Sequence, residues 1–438
     1  MEDYVRDKTG VKSTINILGL HQLEKNGNKV VYLELLPLLE NQNPEICRMN
    51  SSDYLGLNGN PLINKATLKA IDQFGTGRNG NIPFGGETIL HSELQEELKD
   101  LYKAEDCMIT PNGTISNFNV MYSLVAMGDC DAFFSDEKNH ATLISGMQLA
   151  QVKNKSLAIY KYNHLDYDQL ETQLIEYRSK NSVNPIVIVT DGIFSMEGTI
   201  ANAKRLLALA ETYDALVVFD ECHSIGVIGD TGGGTLDHNQ VDWNRRVIIT
   251  GTFGKAIPCN GGYIVASKLL IQSAFKYGRF ATFCGTMTPP DCATAITALK
   301  IIKSLKVERD RLHKLVRIWR KSIYDIYIKY NSSKDKYALF YSEHIDSPSP
   351  IIPFFFNLND SLVENSHVIL PNFAFDLITN HRLYTVPVTY PAVTKGAELI
   401  RVLITLETNE KELKYWAKCL EEEYAKLVHS DKTIKSKL

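Results

Sequence analysis

The sequence predicts an α/β protein built on a mostly parallel sheet, and two observations carry that prediction. Seven short apolar runs stand between polar or glycine residues: Cys107–Thr110, Ala132–Ser135, Leu157–Tyr160, Ile186–Thr190, Leu216–Asp220, Val247–Thr250 and Tyr263–Ala266. Such runs suit strands buried on both faces. Helical stretches such as Asn64–Phe74 and His91–Tyr102 interleave with them, and strand–helix alternation is the mark of a parallel sheet covered by helices.

Taken in order, residues 1 to about 45 read as an amphipathic helical arm with a polar, Asn-rich connection, and Met49–Leu57 ends in a tight turn. The alternating region follows. Ala293 to about Tyr330 is a long helical stretch with a break near Ser304; Leu299, Ile302, Leu312, Leu315, Trp319 and Ile323 share one face and basic residues surround the rest, a solvated flank rather than a nucleic-acid patch. Beyond it, Ser349–Phe356 and Leu399–Ile404 read as strands of a smaller α+β domain, and Lys411–Val428 as its closing helix. The division expected is an N-terminal arm (1–58), a large domain (59–304) and a small C-terminal domain (305–438), with the last nine residues disordered.

Bulk properties fit a soluble enzyme. The chain of 438 residues is 44% hydrophobic and 22% charged with net charge -4, so nothing calls for nucleic acid or a charged membrane surface. The first residues are too charged for a secretory signal, and no apolar run approaches the ~18 residues of a membrane span. The eight cysteines form no C-x-x-C pair; a reducing cytoplasm is expected, with neither a disulfide framework nor a zinc site.

Chemistry concentrates where strands end, the place at which such sheets bind ligands. Lys255, in Gly251-Thr252-Phe253-Gly254-Lys255, lies among small residues just past a strand. Burial there favours the neutral, nucleophilic amine that Schiff-base chemistry needs. Asp220 closes the run Ala215–Asp220; a carboxylate in that position can keep the ring nitrogen of pyridoxal phosphate protonated. Together they suggest a pyridoxal phosphate enzyme. Pro111–Asn117 opens a helix after a strand. Its backbone amides, with Gly113 permitting close approach and Thr114 and Ser116 offering hydroxyls, suit a phosphate; an ordinary capped turn would read the same way. His140 follows a strand and could lie against an aromatic ring or be structural. His223 stands one helical turn beyond Asp220; D-x-x-H also suits a metal, yet no third ligand is near. Ser195 adds a hydroxyl in a further strand-end turn. Arg401 interrupts an apolar run, as a carboxylate clamp or as an edge-strand arginine in solvent.

These pieces resemble, in order and interval, the α-oxoamine synthase family of fold type I pyridoxal phosphate enzymes. The resemblance runs from about Asn50 to about Tyr415 through Ser52–Leu57, Asn139-His140-Ala141, Asp191–Gly198, Asp220–Val227 and Gly251–Lys255. It implies a covalent coenzyme link at Lys255, pairing of Asp220 with the ring nitrogen, and stacking by His140. Ser195 and His223 would serve the phenolic oxygen. Gly113, Thr114 and Thr252 would serve the phosphate, and Thr286 a phosphate across a homodimer interface. Arg401 and Ser52 would bind the substrate. The implied reaction condenses an amino acid with an acyl-CoA, or an acyl carrier protein thioester, releasing carbon dioxide and a 2-amino ketone. A finer resemblance, in Thr190–Gly198, His223–Gly229, Met287-Thr288-Pro289 and Tyr390–Val393, points to the serine palmitoyltransferase branch. Alternatives are another member such as 8-amino-7-oxononanoate synthase, glycine C-acetyltransferase or an amino-ketone signal synthase, a same-fold aminotransferase or decarboxylase, or a non-catalytic partner subunit. The chain departs from the family pattern at Gly80–Gly86, which lacks the usual arginine, and at Leu406–Asn409.

Overall fold

The computed structural model describes residues 47–434 except 79, 181, 182, 184, 331–336, 341–344, 359–365, 390–392 and 394–397. The N-terminal arm and most of Tyr390–Val393 therefore lie outside the described residues. The chain divides into two units. One runs from Ser52 to Leu312 and includes Thr405–Glu407; the other takes His313–Ile404, Thr408 onward and the residues before Ser52.

The described chain opens on β1 (Cys47–Arg48), and the first unit then carries β2 (Asp106–Thr110), β3 (Ala132–Asp136), β4 (Ala158–Tyr162), β5 (Ile186–Asp191), β6 (Ala215–Asp220), β7 (Val247–Gly254) and β8 (Pro258–Ala266). These seven strands form one sheet in the order β2-β8-β7-β6-β5-β3-β4. β8 is antiparallel to both neighbours, and the other pairings are parallel. All but the edge strand β4 are largely buried, which is why they read as unbroken apolar runs.

Helices α1 (Pro61–Phe74), α2 (Ile89–Tyr102), α3 (Gly113–Met127) and α4 (Ala141–Gln151) begin where the sequence supplies caps. Asn60 and Asn112 accept backbone N–H groups of α1 and α3, and His140 does so for α4. On one face of the sheet, Val120, Met121, Leu124 and Val125 of α3 pack with Leu143 and Met147 of α4 over Val187, Val189, Val218, Ile248 and Ile264. Each such side chain contributes about 1.5–3 kcal/mol by leaving water.

Two sequence expectations fall short at β7 and β8, which run on to Gly254 and start back at Pro258, with a register irregularity between Thr252 and Gly254. Glycines and hydroxyls hide a strand whose partner is already aligned. The break expected near Ser304 is present: one helix ends at Ser304 and the next spans Lys306–Tyr330.

The second unit is α+β. Its antiparallel sheet pairs Tyr337–Phe340, Ile351–Leu358, Leu399–Leu403 and Val386–Val388, and β1 pairs with Leu383–Tyr384. Trp319 anchors its core, edge-on to Phe354 and Trp416. The closing helix spans Glu410–Ile434, so Ser430–Ile434, expected to be disordered, continue it. The eight cysteines are free. Among the described residues no helix is long and apolar enough to cross a membrane, and no group of three or more His, Cys, Asp or Glu is placed to hold a metal.

Candidate active site

A cavity of about 220 Å³ opens at the carboxyl ends of β5, β6 and β7, and it gathers residues far apart in sequence. Gly113, Thr114, His140, Asp220, His223, Thr252 and Lys255 line it, together with Asn117, Thr142, Asp191 and Cys222. The first seven were singled out from the sequence.

Two donors converge on the Asp220 carboxylate. Asn117 Nδ2 donates to one oxygen at 2.8 Å and the Cys222 amide to the other at 2.9 Å. Asp191 ends the neighbouring strand in register with Asp220. Burial, and then the Asp220 charge, push the Asp191 carboxyl well above the usual range, although the His140 amide donates to it at 3.2 Å. Burial thus disfavours the charged form of Asp191 beside an acid held by two donors. His140 is exposed as a residue, yet partial desolvation of its ring lowers its pKa below that of an ordinary histidine, with Asp220 opposing the effect and Lys255 adding to it. Its Nδ1 lies 2.7 Å from Thr142 Oγ1. His223 is buried, with Nδ1 2.8 Å from the hydroxyl of buried Tyr54. The Cys222 thiol is pushed well up by burial and then by Asp220, so it stays protonated.

The anion end is built at the start of α3. The Asn112 side chain caps Ile115, and its carbonyl accepts from Ser116. The Gly113 and Thr114 amides take no part in that cap, and both residues line the cavity with Thr252. A Cβ on Gly113 would come to 3.0 Å from Thr252 Cβ and 3.2 Å from Cys222 Sγ, so a larger residue there would crowd β7. Ser116 turns inward to Thr110 Oγ1 at 2.6 Å and does not line the cavity.

Lys255 lines the cavity and is half-buried. Ser195 is buried in the turn after β5 and lies off the cavity wall. Thr286 donates to the Gly86 carbonyl at 3.0 Å. Ser52 is half-buried at the start of the first unit. Arg401 belongs to the second unit, half-buried between apolar neighbours in its strand and paired with Pro353 and Val386.

Asn117, Thr142, Asp191, Cys222 and Tyr54 received no role from the sequence. Asn117 was within reach: it lies four residues after Gly113, one helical turn along the same face. Asp191 needed the strand register.

The cavity suits pyridoxal phosphate on its donor set: helix-start amides for a phosphate, a doubly bonded carboxylate for a ring nitrogen, and a lysine beside both. Residues 44–420 match the model of the aminotransferase class I and II family. The chain belongs to that family. Within it, the chain is an α-oxoamine synthase, a pyridoxal phosphate-dependent acyltransferase. It is 31% identical to 8-amino-7-oxononanoate synthase 1 of Bacillus velezensis over 86% of this chain and 88% of that one. The synthase of that name from Thermoanaerobacter pseudethanolicus is 30% identical over 90% and 92%. Among solved structures, Sphingomonas wittichii serine palmitoyltransferase matches with TM-score 0.74 at 22% identity, covering 86% of this chain and 87% of the other. 8-Amino-7-oxononanoate synthase from Francisella tularensis matches with TM-score 0.69 at 18% identity, covering 87% and 99%. At those identities the structural likeness establishes the fold alone. The curated relatives of this α-oxoamine synthase thus carry the name of one alternative, 8-amino-7-oxononanoate synthase, rather than that of the serine palmitoyltransferase branch suggested by its motifs.

Proposed function

We propose that this α-oxoamine synthase condenses a small amino acid, alanine first, with an acyl thioester whose acyl chain ends in a carboxylate. The product is a 2-amino ketone of the 8-amino-7-oxononanoate kind. The observation that carries the reading is the similarity to synthases of that name over nearly the whole chain. By atom count, their named product is alanine less carbon dioxide joined to a dicarboxylic acyl group.

Pyridoxal phosphate, when bound, supplies an electron sink for the carbon that bears the amino group. The residues of this chain do the rest. Gly113, Thr114 and Thr252 hold the phosphate end and Asp220 the ring nitrogen. His140 lies against the ring, and His223 with Ser195 serves its oxygen side. Lys255 carries the coenzyme and then moves the proton at the amino-acid Cα. Arg401 clamps the substrate carboxylate and Ser52 borders it. Loss of coenzyme A and of carbon dioxide makes the new carbon–carbon bond irreversible. The assembly is a homodimer in which Thr286 reaches the partner's phosphate.

Mass spectrometry of products from alanine, serine and glycine, each mixed with a ladder of acyl thioesters, tests the reading. Alanine with a carboxylate-ended acyl group should give the dominant product, with one thiol released per product. Serine with palmitoyl-CoA as the best pair would restore the serine palmitoyltransferase reading. Thiol-free transamination would defeat both. Lys255→Ala should lower turnover by at least about 10²-fold.

A further inference from the structure

One amide joins the two groups that flank the proposed ring site. Asn117 Nδ2 donates to Asp220 Oδ2 at 2.8 Å and to Thr142 Oγ1 at 2.9 Å, while Asn117 Oδ1 accepts from Thr250 Oγ1 at 2.6 Å. The orientation of that amide is forced. Turned over, it would set its oxygen against a carboxylate and leave the Thr250 hydroxyl facing an NH2 group. Asn117 is almost fully buried, 1% exposed, so water cannot substitute for a lost partner.

The direction of donation continues to His140. Thr142 Oγ1 accepts from Asn117, and its own hydrogen is free for His140 Nδ1 at 2.7 Å. A second donor reaches the same nitrogen, because His140 caps α4 by accepting the Thr142 backbone N–H at 3.3 Å. A backbone N–H cannot be reversed. Were Nδ1 protonated, two hydrogens would face each other, so Nδ1 must keep its lone pair and the ring proton sits on Nε2.

We propose that Asn117 is a positioning residue whose single amide orients the Asp220 carboxylate and, through Thr142, fixes His140 as the neutral Nε2–H tautomer. The charged or acidic groups around His140 are Asp220, Lys255 and Asp191. A positive charge on His140 would oppose a protonated heterocycle held by Asp220. A neutral imidazole lies against that ring without repulsion. The inference rests on the coenzyme reading only for the identity of the ring that His140 faces.

The tautomer can be read without coenzyme, from ¹⁵N-histidine NMR of the full apo chain, with His140 assigned by the signal lost in His140→Gln. The wild type should show a bare Nδ1 and a protonated Nε2. Thr142→Val, which keeps the backbone donor but removes the hydroxyl, should hold the tautomer yet move the Nδ1 resonance toward that of a more weakly bonded nitrogen, and Thr142→Ser should restore the wild-type pattern. Asn117→Ala should weaken pyridoxal phosphate binding by about tenfold or more, the effect of one lost hydrogen bond to a charged group. It should also shift the His140 signals, which a merely structural role would leave in place. A wild-type His140 protonated at Nδ1 would overturn the proposal. So would a folded Asn117→Ala chain with unchanged coenzyme affinity and unchanged His140 signals. A chain that shows the Nε2–H tautomer but binds no coenzyme supports the tautomer assignment and defeats the proposed function instead, which keeps the two failures apart.

Discussion

Glu221 follows Asp220 in the chain and points into the protein, with none of its surface exposed. Both its oxygens face the Thr235 backbone N–H, at 3.1 and 3.0 Å. Burial outweighs those bonds and pushes the carboxyl up to about 7. An acid whose folded pKa lies above its unfolded value binds more protons folded than unfolded between the two, so stability falls as pH rises through that window. From about pH 4.5 to 7 the wild type should therefore lose on the order of 3 kcal/mol relative to Glu221→Gln, at 1.36 kcal/mol per pKa unit. Chemical denaturation across that range gives the difference directly. Parallel curves for the two proteins would show that Glu221 ionises normally.

Elements explain what the sequence disclosed and what it withheld. The parallel strands were legible because burial on both faces demands continuous apolar side chains, whereas the first helix starts at Pro61 behind its Asn60 cap, three residues before the Asn64 start read from the sequence. The far half of β7 was hidden, because Gly251 is there for space rather than for propensity. It pairs with Tyr263 across the ladder, and a Cβ at Gly251 would lie 2.2 Å from Tyr263 Cζ. Gly251→Ala should displace that ring and break its 2.8 Å bond to the Tyr102 hydroxyl. A loss of about 1–3 kcal/mol is expected, in the overpacking range, visible as a lower denaturation midpoint. Adding Tyr263→Phe, which removes the hydroxyl but not the ring, should leave most of that loss in place. The site was legible in part for a related reason. Lys255, Asp220, His140 and Gly113 each end or follow a strand, whereas the links Asn117 to Asp220 and Tyr54 to His223 depend on helix phase and on contacts 103 and 169 residues apart.

At the scale of the molecule, the proposed homodimer has a specific surface to account for. Phe84, Ile89 and Phe283 of the first unit are 77%, 70% and 67% exposed. The segments that carry them abut: Asn81 bridges to Gly285, Thr286 bonds the Gly86 carbonyl, and His91 Nε2 lies 3.0 Å from the Met287 carbonyl. Large side chains gathered on one surface mark an interaction site, and a second copy of the chain would cover them at about 1.5–3 kcal/mol for each side chain fully buried. Thr286 sits in the same segment, so contact there would also bring its hydroxyl toward a neighbouring cavity. Sedimentation should give a dimer for the wild type and a monomer for Phe84→Glu combined with Phe283→Glu. If the monomer binds pyridoxal phosphate as tightly as the dimer does, each cavity is complete within one chain and Thr286 has no part in it. Weaker binding by the monomer, matched by Thr286→Ala in an intact dimer, would assign that hydroxyl to the partner's phosphate.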